Sequence, residues 1–110
     1  MASKHVRTPP VKMVSNYFTP DDQIIDLGAF RTVGIQCRRL KTQSGAYTIV
    51  IQHNSTKDAD AWISSTVTFK LDGSDDDFKE LTSFSRYLRI QAPSQADGTC
   101  VLQIDWIGKE

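Results

Sequence analysis

The sequence lacks most of the features that assign a function directly. Its 13 basic and 13 acidic residues cancel, so no chain-wide field attracts nucleic acid or an anionic membrane. No apolar run is long enough to span a bilayer, and none follows the basic N-terminal residues as a secretory signal requires. We therefore expect a protein made in the cytoplasm without a signal peptide. Membrane is excluded as a partner and nucleic acid is disfavoured.

Catalytic motifs are missing as well. Strand spacing would bring together no Ser/His/Asp, Cys/His or paired-carboxylate arrangement, and there is no glycine-rich phosphate loop. The two histidines, His5 and His53, lie far apart in the sequence. We predict that the chain is not an enzyme and that it holds no cofactor and no metal.

Cysteine is scarce, with only Cys37 and Cys100. Both fall on the apolar phase of predicted strands, where a reduced cysteine behaves as a small buried hydrophobe. A disulfide is the alternative interpretation. A reactive thiol is disfavoured because no histidine is close in sequence to either residue.

Short segments of alternating apolar and polar residues are what the chain does contain. They are separated by turn signals, and no helical period is sustained over three turns, in a length typical of one domain. This pattern predicts an all-β protein, an antiparallel β-sandwich of jelly-roll or related topology with seven or eight strands. The predicted inward residues are Ile24 or Ile25, Leu27, Val33, Ile35, Cys37, Tyr47, Ile49, Ile51, Ile63, Val67, Phe69, Leu71, Phe84, Leu88, Ile90, Leu102, Ile104 and Trp106.

Two hairpins are predicted from strands that follow one another along the chain. Residues 31–41 and 47–53 form a central antiparallel hairpin, and Gly34 marks a bulge or a close approach of backbone. The strands on either side of the Asp97-Gly98 turn signal form a second hairpin that closes the sandwich, from Arg86 to the C-terminus.

Two charged clusters have simple interpretations as solvated surface. Arg38, Arg39 and Lys41 gather at the end of one strand, where contact with phosphate is the alternative. The acidic run Asp72–Asp77 is interpreted as a solvated hairpin turn. Calcium binding is the alternative, but the run lacks the ligand spacing of an EF-hand loop.

The first 20 residues differ from the rest because they carry cations and three prolines but no acidic residue. We predict an arm over residues 1–20, mobile over residues 1–8, with a short edge strand at Val11–Val14, followed by a sandwich domain over residues 21–110. A frayed terminus is the alternative. The candidate arm contacts, to a neighbouring subunit or to nucleic acid, are Lys4, Arg7 and Lys12.

The longest polar connection between clear strands runs over residues 54–61, and loops of this length often carry binding sites. One histidine and two carboxylates do not make a metal site without further ligands. Trp62 is a candidate for stacking on a sugar, the alternative being a partly buried aromatic at a strand start. The candidate ligand residues of this loop are His53, Asn54, Asp58, Asp60 and Trp62.

Fold-level motifs give the chain a resemblance to known sandwiches over residues 23–108. Tyr47-x-Ile-x-Ile-Gln-x-x-Ser-x-x-Asp-x-x-x-Trp62, Arg86-Tyr-Leu-Arg-Ile-x-Ala-Pro and Leu102-x-Ile-Asp-Trp-Ile-Gly108 resemble strands and loops of discoidin-like domains. With Ile25-Asp-Leu-Gly28 and Arg31-Thr-Val-Gly-Ile35 added, the outline also resembles small β-sandwich proteins of tailed phages and prophages, found in heads, tails or fibres.

This resemblance implies two functions. The first is a non-catalytic structural or interaction protein of a phage-type particle, as a capsid decoration, tail or fibre component. We expect such a protein to be virion-associated, to form a homo-oligomer and to contact other particle proteins. The alternative is a carbohydrate-binding module, because discoidin-like domains bind sugars or lipid headgroups with loops at one end of the sandwich.

Overall fold

The computed structural model describes residues 3–110 and contains nine β-strands in that range, with two single turns of 3₁₀ helix at Asp21–Gln23 and Ala59–Ala61. The strands are β1 (Ser3–Arg7), β2 (Val11–Val14), β3 (Ile25–Asp26), β4 (Thr32–Lys41), β5 (Thr48–Asn54), β6 (Ile63–Lys70), β7 (Phe78–Leu81), β8 (Tyr87–Gln91) and β9 (Asp97–Lys109).

The strands form two antiparallel sheets that pack face to face. Sheet A has the order β1-β9-β4-β7, with β2 also paired to β9, and sheet B has the order β3-β8-β5-β6. With β1 and β2 counted as one edge, this is the strand order of a jelly roll. The predicted antiparallel sandwich is confirmed, with nine strands instead of seven or eight.

Both predicted hairpins are wrong. The strand β4 pairs with β9 and β7 in sheet A, whereas β5 pairs with β6 and β8 in sheet B. The strands β8 and β9 also lie in opposite sheets. Each strand has one apolar face, and consecutive strands can bury those faces against each other across the core instead of side by side in one sheet.

The core lies between the two sheets, and its largest fully buried side chains include Trp106, Phe69 and Met13. Two residues of the predicted core are exposed instead, Tyr47 at 43% and Ile63 at 54%. Tyr47 precedes β5, and its ring lies over Gly45. Ile63 is the first residue of β6, on the far side of an irregularity in the β5–β6 pairing. Phe84 is only partly buried.

The N-terminal segment belongs to sheet A. Residues 3–7 pair along their whole length with the last strand, so the expected mobility of residues 1–8 does not hold for them. Residues 1 and 2 lie outside the described residues. The strand β2 coincides with the predicted edge strand, and its Met13 is fully buried in the core. Residues 3–14 are therefore part of the sandwich and not an arm beside it.

Gly34 was expected to mark a bulge or a close approach of another backbone segment, but its close neighbour is a side chain. A Cβ atom at this position would lie 2.7 Å from the ring of Phe78 on the neighbouring strand, so a larger residue would displace that ring. The irregularity in this strand lies elsewhere, between Arg39 and Lys41.

Both cysteines are free and fully buried. Burial raises the pKa of the Cys37 thiol to about 12. Burial also raises the pKa of Cys100. The thiolate is the reactive form, so both thiols are poor nucleophiles in the folded protein.

Candidate interaction surfaces

The structure divides the candidate ligand residues of the loop between two sides of sheet B. His53 pairs with the fully buried Leu88, and its Nδ1 accepts a hydrogen bond of 3.1 Å from the backbone N–H of Ser85. Burial lowers the pKa of this imidazole. Asn54 is buried on the opposite side, where its Nδ2 donates to the carbonyl of Asp58 over 3.0 Å.

The remaining loop residues do not converge on one point. The side chains of Asp58 and Asp60 are exposed, and the ring of Trp62 lies over Arg89 of β8. Arg89 pairs with Gln52, one residue before His53, so Trp62 and His53 lie on opposite faces of the sheet. The five residues therefore do not form a single pocket.

Trp62 is instead one of three side chains that stack on the outer face of sheet B. The guanidinium carbon of Arg89 lies 4.4 Å from the ring centroid of Trp62 and 4.4 Å from that of Phe18. Phe18 is held beside β8 by a bridge to Gln91 and by the neighbouring Thr19, whose hydroxyl accepts a hydrogen bond from the Ile90 N–H. We call Phe18, Arg89 and Trp62 the arginine stack.

Hydrogen bonds to the neighbouring strand of sheet B hold Arg89 of the arginine stack in place. Arg89 Nε donates to Gln52 Oε1 over 2.8 Å, and Gln52 Nε2 donates to Gln91 Oε1 over 2.9 Å. The same amide nitrogen lies 3.2 Å from Ser64 Oγ. Gln52 is only 6% exposed although it is on the outer face, because the stack covers it. The guanidinium is therefore held in one orientation before anything binds.

The outer edge of the Arg89 guanidinium is open. Within residues 3–110, its Nη1 and Nη2 atoms make no hydrogen bond, and neither is among the buried unpaired polar atoms, which are Trp62 Nε1 and Trp106 Nε1. Both Nη atoms are therefore not fully buried, and the side chain as a whole is partly exposed. Burial lowers the pKa of Arg89, and the nearby charge of Asp21 opposes that shift. The group remains a cation at neutral pH because its ordinary pKa is so high.

The outer face of sheet A carries a second polar cluster, formed where β1 lies beside β9. Arg7 Nε donates to Asp105 Oδ1 over 2.6 Å and its Nη2 to Oδ2 over 3.3 Å, and His5 Nε2 lies 3.2 Å from Oδ1. The hydrogen bond from Arg7 holds the pKa of the buried Asp105 carboxyl below its ordinary value. This pairing attaches the N-terminal strand to the sandwich.

The three candidate arm contacts have different environments. Arg7 is occupied by Asp105, whereas Lys12 is exposed. The Nζ atom of Lys4 lies 3.5 Å from the carbonyl oxygen of Asp26 across the gap between the two sheets. Of the three residues, Lys12 is the one without a side-chain hydrogen bond among residues 3–110.

The two charged clusters that were interpreted as solvated surface meet at Arg39, whose side chain is buried, whereas Arg38 and Lys41 are exposed as expected. The side chain of Arg39 is only 3% exposed, and it pairs with Asp75 and, over 2.8 Å, with Asp77. Its Nε also donates to the Lys70 carbonyl. The acidic run is a turn, but it crosses from β6 in sheet B to β7 in sheet A and is not a hairpin.

Asp75 is the centre of this crossing turn. Burial alone would raise its pKa, but hydrogen bonds from Lys79 and the Lys70 N–H, together with the charge of Arg39, lower it overall. Its oxygens therefore already have partners. In residues 3–110 no three His, Cys, Asp or Glu side chains are grouped so as to hold a metal ion.

No helix in residues 3–110 is long and apolar enough to cross a membrane. No family model, no curated protein and no solved structure matches the chain. The geometry of the site must therefore carry the functional argument.

Sequence reasoning missed the arginine stack and the His5–Arg7–Asp105 cluster. Arg89 falls on the outward phase of its strand, which the alternation does show. Phe18 lies in a segment without periodicity, so nothing in the sequence indicated that it would reach this strand. The partners of Asp105 are separated from it by about the length of the chain.

Proposed function

We propose that this protein is a non-catalytic structural subunit of a phage-type particle that acts through protein–protein contacts. The observation that carries the proposal is the arginine stack on the solvent-facing side of sheet B. Arginine and tryptophan are enriched among the residues that dominate binding energy at protein interfaces. The stack also lies on an open sheet face, a shape suited to another macromolecule.

The fixed geometry of Arg89 supports a role in binding. An arginine side chain normally loses rotamer freedom when a partner binds, and this loss weakens affinity. Phe18, Trp62 and Gln52 already restrain Arg89 in the free protein. Because Arg89 is already restrained, it loses less rotamer freedom when a partner binds.

The particle itself is proposed from the resemblance of residues 23–108 to small sandwich proteins of tailed phages. As a capsid decoration, tail or fibre component, the protein would be virion-associated, would contact copies of itself and other particle proteins, and would need no cofactor.

Fractionation of particles from cells that express the protein tests this proposal. We expect the protein to sediment with capsids, tails or fibres, and the Arg89→Met variant to be depleted from that fraction. Arg31→Met, which changes another exposed arginine, is the matched control and should sediment like the wild type. A protein absent from every particle fraction would refute the proposal.

A carbohydrate-binding module is the alternative, favoured by a partly exposed Trp62 next to amide and guanidinium groups. One face of the indole is already covered by Arg89, which leaves less aromatic surface for a sugar. Retention on a glycan array, lost in Trp62→Ala, would support this alternative. Absence of retention for the wild type would exclude it.

A further inference from the structure

We propose that the open fork of Arg89 binds a carboxylate, and that this carboxylate is Asp76 of a second copy of the chain. The inference rests on the proposed role in protein contacts and names the partner. It begins with the hydrogen-bonding capacity of the guanidinium, which has five N–H donors in a planar fork. Gln52 uses the Nε donor, so a carboxylate cannot bind along the Nε side.

The remaining binding mode is end-on, across Nη1 and Nη2. Both atoms are accessible and have no partner in residues 3–110. A carboxylate matches such a fork with two parallel hydrogen bonds, which are stronger than neutral ones. Both aromatic rings lie against the guanidinium, and its Nη edge is the part left without a hydrogen-bond partner in residues 3–110, so an anion can bind at that edge.

Charge complementarity favours an acidic protein segment as the occupant. Asp58 and Asp60 are exposed on the loop that leads to Trp62, so they repel a polyanion such as nucleic acid more strongly than a protein segment that presents one unpaired carboxylate. One guanidinium is enough to bind one carboxylate, so a protein that presents a single carboxylate requires no further cations at this surface. The chain contains one dense acidic run, at residues 72–77.

Asp76 differs from the other acids of that run. Asp72 accepts hydrogen bonds from Ser74, while Asp75 and Asp77 pair with Arg39. Asp76 is exposed, and its carboxylate has no hydrogen bond or ion pair within residues 3–110. Its two neighbours anchor the turn to a buried arginine. Asp76 is therefore a carboxylate displayed on an ordered support.

The two groups lie on different surfaces, which determines the kind of assembly. Arg89 is on the outer face of sheet B, and Asp76 is on the turn that crosses to sheet A. One copy can therefore present Arg89 while another presents Asp76; when the reciprocal pair does not form, the contact is heterologous and each copy keeps one free binding surface after the first contact. Repetition gives a ring or a filament, which suits a particle component.

Sedimentation velocity of the purified full-length protein over a concentration series tests the contact. We expect wild-type self-association, weakened about tenfold or more in either Arg89→Met or Asp76→Asn. Controls are Arg31→Met and Glu80→Gln, which change exposed residues away from the arginine stack and should associate like the wild type. Circular dichroism checks that each variant is folded. A monomeric wild type, or variants that associate as well as it does, would overturn the proposal.

Mixing the two variants gives a sharper result. Arg89→Met still presents Asp76, and Asp76→Asn still presents Arg89, so an equal mixture should form a single heterodimer that cannot grow. A mixture that stays monomeric, or one that assembles beyond a dimer, would contradict the heterologous contact.

A peptide of residues 71–78 is the direct probe. Because Asp75 and Asp77 lose Arg39 in a free peptide, the peptide carries Asp72→Asn, Asp75→Asn and Asp77→Asn and blocked termini, so that Asp76 is its one carboxylate. We expect this peptide to shift the indole N–H signal of Trp62 in nuclear magnetic resonance spectra, and the same peptide with Asp76→Asn added to shift it at least about tenfold less strongly at equal concentration. A shift caused by a single-stranded oligonucleotide but not by the peptide would overturn the proposal. These measurements use no particles. The contact between Arg89 and Asp76 can therefore be refuted while the protein still sediments with particles, and it can be observed in a protein that does not.

Discussion

Three arginines in residues 3–110 lie over aromatic rings, and two of them, Arg39 and Arg89, have opposite environments. Arg39 lies 5.6 Å from the ring centroid of Phe69, and all of its nitrogens donate hydrogen bonds, to carboxylates or backbone carbonyls. Arg89 lies closer to two rings but uses only its Nε. A buried charge is tolerated only when it is fully paired, so the degree of pairing distinguishes a structural arginine from one available for binding.

The largest expected effect is the loss of the buried arginine. Arg39→Met should lower the free energy of unfolding by about 3–5 kcal/mol, because it leaves the partly buried Asp75 with one cation fewer. Urea denaturation followed by tryptophan fluorescence measures this loss. Arg38→Met, at the exposed neighbouring position, should change stability by no more than about 0.5 kcal/mol. Similar losses in both variants would contradict the distinction.

The coupling between Arg39 and its two acids should differ. A double-mutant cycle with Arg39→Met and Asp75→Asn should give an interaction free energy of about 1–3 kcal/mol. The matched cycle with Asp77→Asn should give about 1 kcal/mol or less, because the side chain of Asp77 is 69% exposed and water screens the pair. Equal couplings would show that burial does not set the strength of this cluster.

Acid should weaken the crossing turn through Asp75. The folded pKa of this carboxyl lies below its ordinary value, so its contribution to stability is complete above the unfolded pKa and is lost as the pH falls through the folded pKa. Thermal unfolding should show a shallower loss of stability below about pH 4 in Asp75→Asn than in the wild type. Equal slopes in the two proteins would contradict this role of Asp75.

The smallest effect is expected at the open arginine. Arg89→Met removes two cation–π contacts and the donor to Gln52, so it should cost about 1–2 kcal/mol in urea denaturation. Its main effect should be on self-association. A stability loss as large as that of Arg39→Met would show that Arg89 is structural and would break the comparison.

Strand positions could be predicted from the sequence because alternation with a period of two is a local signal. It located most of the core, including Val33, Ile35 and Trp106, all of which are buried. The strand β1 was missed because Ser3–Arg7 has no apolar alternation. Its place depends on Arg7 and His5 meeting Asp105, a contact between opposite ends of the chain.

Local sequence therefore determined which segments are strands and which face of most of them is apolar. Tertiary structure alone decided which strands pair, because neighbouring apolar strands can bury the same faces either side by side or across a core. The two arginines show the same division. In the sequence, both lie beside apolar residues on predicted strands. Only the packing of distant segments buried Arg39 against Asp75 and left the Nη atoms of Arg89 without a partner.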